Sequence, residues 1–123
     1  MFRMITILMM LLFMNSCTTS ENSTPQVQHI VMCWLKNGAS QEKFIEAVKN
    51  LKAIEQVQNI SVGTKLESIE PVADNSFDIS FIITFKNNDE LKVYLDQPKH
   101  VEAVTNILKP ALAKVVVYDF QEL

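Results

Sequence analysis

From residue 28 onward apolar and polar positions alternate in short blocks, and the period of each block predicts an element. Within residues 28–36, His29, Val31, Cys33 and Leu35 point one way and Ile30, Met32 and Trp34 the other. A period of two with apolar side chains on both faces predicts a strand covered on both sides. Asn37-Gly38 turns the chain. Ser40 then caps a helix, as a simple cap because Lys43 and not Glu stands at the box position. Phe44, Ala47, Val48, Leu51 and Ile54 recur at helical spacing, with Glu42, Lys43, Glu46, Lys49 and Lys52 mostly outside.

Residues 59–69 alternate loosely and predict a second strand, and residues 71–75 a turn. Residues 77–85 form the strongest strand pattern. Phe77, Ile79, Phe81, Ile83 and Phe85 share one face, with Asp78, Ser80, Ile82 and Thr84 opposite. Asn87-Asn88 offers a cap for a short helix over 89–96, whose acidic first turn suits the helix dipole. Pro98 stops that helix and restarts a second one carrying Val101, Val104, Ile107 and Leu108, which Pro110 ends. Residues 114–121 close the domain as a strand, with Val116, Tyr118 and Phe120 on one face and Val115, Val117 and Asp119 on the other.

The order β-α-β-β-α-β predicts an α+β, ferredoxin-like subunit: a four-stranded antiparallel sheet with both helices on one face. The other face keeps Ile82 and several apolar residues of the first and last strands, too many to leave in water. Two copies stacked sheet to sheet would cover both faces, so a homodimer is expected. Small or polar Asp78, Ser80 and Thr84 would then leave a partly wet cavity between the sheets.

The segment ahead of the domain reads differently. One positive charge, Arg3, precedes an apolar run over residues 4–14 broken only by Thr6. Eleven helical residues reach only about 16 Å, against roughly 30 Å of hydrocarbon. Residues 1–16 therefore read as a signal peptide. Phe13-Met14-Asn15-Ser16-Cys17 resembles the bacterial lipobox, which makes Cys17 the lipid-attachment site and the protein a membrane-tethered component of the bacterial envelope. Residues 17–27 have almost no large apolar side chain and form a tether; the domain spans 28–123.

Without residues 1–16 the chain keeps 10 basic and 14 acidic residues, since only Arg3 is lost. No basic patch points to nucleic acid. Only Cys33 remains besides Cys17, which excludes a disulfide framework. His29 and His100 are the only histidines and no metal-ligand spacing occurs, so neither metal nor cofactor is expected.

Four stretches resemble the stress-responsive dimeric α/β-barrel (Dabb) family: residues 29–36 (HIVMCWLK), 77–85 (FDISFIITF), 94–101 (YLDQPKHV) and 115–120 (VVVYDF). The resemblance covers about residues 28–121. It implies a ferredoxin-like subunit that pairs into a barrel, and it implies little chemistry. One member type cyclises a polyketide chain with a Tyr and a His, which match Tyr94 and His100 across the same Pro; the family's usual His before that Pro is Gln97 here.

The candidate catalytic residues are thus His100 as base, favoured in neutral form near a helix start, and Tyr94 as hydrogen-bond donor. His29, Asp78, Ser80 and Ile82 are candidate ligand-binding residues. The leading expectation is a lipid-anchored envelope protein of unassigned function that binds a small apolar or aromatic molecule in the dimeric barrel. The alternatives are a cofactor-free acid–base enzyme, a polyketide-cyclase-like lyase or isomerase, and a structural protein with a filled barrel.

Overall fold

The computed structural model describes residues 24–123; the segment read as a signal peptide, Cys17 and the expected tether up to residue 23 lie outside the described residues. β1 (Val27–Leu35) and β3 (Ile79–Phe85) form the centre of the sheet, with β2 (Asn59–Thr64) and β4 (Leu112–Gln121) at its edges. The order is β2-β3-β1-β4 and every pair is antiparallel. This is the ferredoxin-like α+β fold.

Strand parity decides what is buried. Val27, Val31 and Cys33 of β1 and Ile79, Phe81, Ile83 and Phe85 of β3 share the core with Phe44, Ala47 and Val48 of α1 (Gln41–Asn50). Leu91 and Tyr94 of α2 (Asn88–Asp96) join the same cluster, so all helices lie on one face. Among the described residues every core residue falls between Val27 and Leu108, and a fragment starting at Ser20 carries all of them.

Local chemistry sets the element ends. Gly38, at φ 81°, makes the turn that residues with a Cβ resist. Ser40 Oγ accepts from Lys43 N at 3.2 Å and Asn87 Oδ1 from Glu90 N at 2.9 Å, each satisfying one orphan donor of a helix start. β1 opens at Val27, one residue before the pattern places it, because Val27 is buried opposite Phe85.

Two predicted elements differ more widely. β2 stops at Thr64, not Ile69. Its partner runs out there, because Asp78 turns toward β1: its N–H donates to Cys33 O at 2.9 Å and its Oδ2 accepts from Leu35 N at 2.7 Å. Residues 65–78 become a long connection with Leu66 and Ile69 in solvent. Pro110 does not end the last helix either. α3 (Pro98–Ala103) passes through a π-turn (Val104–Leu108) into one final turn, α4 (Lys109–Ala111), which contains Pro110. Proline has no N–H and crowds the carbonyl four residues back, and the wider turn loosens the ladder at that point.

The second face of the sheet carries Ile30, Met32 and Trp34 with Ile82, Val116, Tyr118 and Phe120. Among these Ile82 is 36%, Phe120 49% and Tyr118 59% exposed. No described helix covers them, and no described helix is long and apolar enough to cross a membrane.

Candidate functional site

Side chains between sheet and helices do not fill the space they enclose. A cavity of about 360 Å³ lies between β1, β3 and β4 on one side and the run from α2 to α4 on the other. Val31, Cys33, Phe81, Val104 and Leu108 wall it, and Val115 and Val117 of the edge strand border its open side. It sits on the helix face of the sheet, because inward-facing residues of β1 and β3 line it.

The polar groups collect at one end. Tyr94, in the last turn of α2, is 1% exposed. Its ring centre lies 4.4 Å from that of His100, 4.8 Å from Phe85 and 6.3 Å from His29. Burial raises its pKa, so the hydroxyl stays a donor. Pro98 breaks the helix between Tyr94 and His100 and lets both side chains turn inward. His100 is half-buried, and its Nδ1 lies 2.9 Å from Leu95 O. A carbonyl only accepts, so Nδ1 carries the proton and Nε2 keeps a lone pair. The His100 pKa is lowered, chiefly by burial; the Leu95 bond opposes the shift and nearby His29 adds to it. Burial thus favours the neutral ring.

His29 projects into the same end and is 8% exposed. Its Nδ1 lies 2.5 Å from Asp119 Oδ1, across the β1–β4 pairing that sets the two residues opposite each other. The carboxylate accepts, which fixes the ring's orientation. Asp119 was absent from the sequence candidates. Alternation assigns it a face of β4 but not the residue across from it, and only the register shows the pair.

The structure thus brings His29, Tyr94 and His100 together and leaves the other candidates elsewhere. Asp78, Ser80 and Ile82 belong to the second face of the sheet and line no part of this cavity. Their polar groups are used within the chain: Asp78 on Leu35 N, and Ser80 Oγ donating to Met32 Sδ at 3.2 Å. Cys33 does line the cavity, but burial pushes its thiol up to about 12, which leaves it un-ionised and a poor nucleophile. Among the described residues no group of three His, Cys, Asp or Glu is placed to hold a metal ion. The arrangement pairs a neutral acceptor with a buried donor over an apolar pocket. A carbonyl compound there could be polarised by one and lose a proton to the other.

The family model of the stress responsive A/B barrel domain matches residues 27–122. The stress-response A/B barrel domain-containing protein HS1 of Arabidopsis thaliana is 30% identical over 105 residues, which is 82% of this chain and 94% of that protein. A dimeric protein of unknown function and ferredoxin-like fold from Bacteroides fragilis superposes with a TM-score of 0.60 at 26% identity, covering 80% of this chain and 96% of that one. The hydroxynitrile lyase of Passiflora edulis reaches a TM-score of 0.71 at 23% identity over 81% of this chain and 95% of its own. At that identity the likeness speaks for the fold alone.

Proposed function

The chain belongs to the stress-responsive A/B barrel domain family, and from that premise we propose a lipid-anchored, dimeric barrel protein of the bacterial envelope that holds a small apolar or aromatic molecule. The observation that carries this reading is the cavity itself, apolar along its walls with Tyr94, His100 and His29 gathered at one end. Apolar walls supply affinity and a few converging polar groups supply orientation; a volume of about 300–1,000 Å³ is usual for such sites. The open volume argues against a purely structural subunit with a filled interior. The apolar second face, together with the dimeric relative from Bacteroides fragilis, supports pairing.

Native mass spectrometry of the fragment from Ser20, mixed with the uncharged fluorophore N-phenyl-1-naphthylamine, tests occupancy and oligomer together. The expected result is a dimer carrying one fluorophore per chain. Val117→Trp, at the open side of the cavity, should weaken binding by about tenfold or more, with the melting temperature as control. A chain that never takes up the fluorophore would overturn the binding reading.

A second reading is favoured by the Tyr94–His100 contact: a cofactor-free enzyme doing acid–base chemistry on a carbonyl compound. His100 would take the proton at Nε2, and Tyr94 would donate to the substrate oxygen.

The anchor has its own test. Stable attachment needs more than one acyl chain, which a lipidated N-terminal Cys can carry. Cys17→Ser should therefore move the full-length protein from the membrane to the soluble fraction. Unchanged partitioning would remove the lipoprotein assignment.

A further inference from the structure

The cavity has opposite charges at its two ends. At one, Asp119 stands behind His29, half-exposed and outside the cavity lining. At the other, past Cys33 and Leu112, stands Lys109. The ends are well separated: four residues of β1 from His29 to Cys33 span about 13 Å at strand rise.

The π-turn is what gives Lys109 this place. Its N–H bonds to Val104 O, five residues back, so Lys109 stacks over Val104 on the cavity side. In an unbroken α-helix, at about 100° per residue, it would lie roughly 140° around the axis from Val104. The residue is exposed overall yet borders the cavity. Its aliphatic stem therefore runs along the apolar wall and its ammonium stands at the rim. Among the described residues no ion pair engages it, whereas neighbouring Lys36 is tied to Pro110 O at 3.1 Å.

We propose that the cavity selects elongated apolar molecules bearing one anionic group, with the anion held at the rim by Lys109 and the apolar body directed toward Tyr94 and His100. The inference rests on the reading that the cavity binds a small apolar molecule, and it adds the ligand's charge and direction. Asp119 repels an anion at the far end and Lys109 attracts one at the near end, so only one orientation satisfies both. The reverse orientation would set the anion beside a carboxylate and leave the ammonium without a partner.

Two fluorophores of the same skeleton separate charge from apolar burial: 1-anilinonaphthalene-8-sulfonate, an anion, and N-phenyl-1-naphthylamine, its uncharged parent. Both are titrated into the Ser20 fragment, with the cavity signal identified by its loss in Val117→Trp. Lys109→Gln should weaken the sulfonate by roughly fivefold, the scale of a partly exposed ion pair, and the parent by much less. Lys109→Glu should weaken it further. Added salt should weaken the sulfonate in the wild type only. If Lys109→Gln leaves the sulfonate untouched, or weakens both probes equally, the anion inference fails while cavity binding stands. If neither probe binds the wild type, the binding reading fails and takes this inference with it.

Discussion

Ile82→Lys is expected to turn a dimeric fragment into a folded monomer. Ile82 lies at the middle of the uncovered sheet face, opposite Ile30 of β1 and Ser61 of β2. In a sheet-to-sheet dimer the inner faces interdigitate about 10 Å apart, leaving no water for a charge there. An unpaired ammonium buried in such a layer costs on the order of 3–5 kcal/mol, about 10²–10⁴-fold in dimer dissociation. The single subunit does not bear that cost. Ile82 is already 36% exposed, and a lysine head would reach solvent. Light scattering at micromolar concentration, with circular dichroism as the folding control, reads both outcomes. A wild-type fragment that is monomeric under those conditions would remove the barrel. A variant that stays dimeric would move the interface to another surface.

Much of this subunit is legible in the sequence, for definable reasons. Alternation in β1 and β3 names the face that packs on the helices, because a strand's side chains change sides at every residue. Ser40 and Asn87 announce their helices because a short polar side chain before an apolar period is a cap. What escapes is whatever depends on a neighbouring strand. Asp119 becomes a partner of His29 only through the β1–β4 register. The end of β2 depends on Asp78 turning to β1. The π-turn breaks the 3.6-residue period by one residue, and Pro110 alone reads as a stop.

The cavity shows the same limit. Asp78, Ser80 and Thr84 invite the reading of a wet space on their side of the sheet. In the folded chain they bond to Leu35, Met32 and Gln28, and no void is needed to account for them. The described cavity instead comes from how the helices settle over Val31, Cys33 and Phe81, and no single strand encodes that. The family resemblance points to Tyr94 and His100 as chemistry-bearing groups, and His29 is the other histidine of the chain. Their convergence is a property of the packing.

If the cavity is catalytic, His100→Ala should lower the rate by about 10²–10⁴, the range for losing a positioned general base. Exchange of solvent deuterium into the methyl group of acetophenone, followed by NMR, is a direct readout of proton abstraction beside a carbonyl. Tyr94→Phe should cost less, about tenfold, because it deletes one neutral hydrogen bond and keeps the ring against Phe85 and His100. The pH profile carries a second signature. Burial lowers the His100 pKa below its ordinary 6.5, so the basic form persists as pH falls through that value. The midpoint of the acid limb of the rate should therefore lie below pH 6.5. Stability should move in the same direction. Just below pH 6.5 the unfolded chain binds a proton at this position more readily than the folded one, so the fold weakens as pH falls there. His100→Ala should lose that part of the acid sensitivity in a melting series. Equal exchange rates in wild type and His100→Ala would remove the enzymatic reading and leave the binding one in place. An acid-limb midpoint above pH 6.5 would show that another group takes the proton.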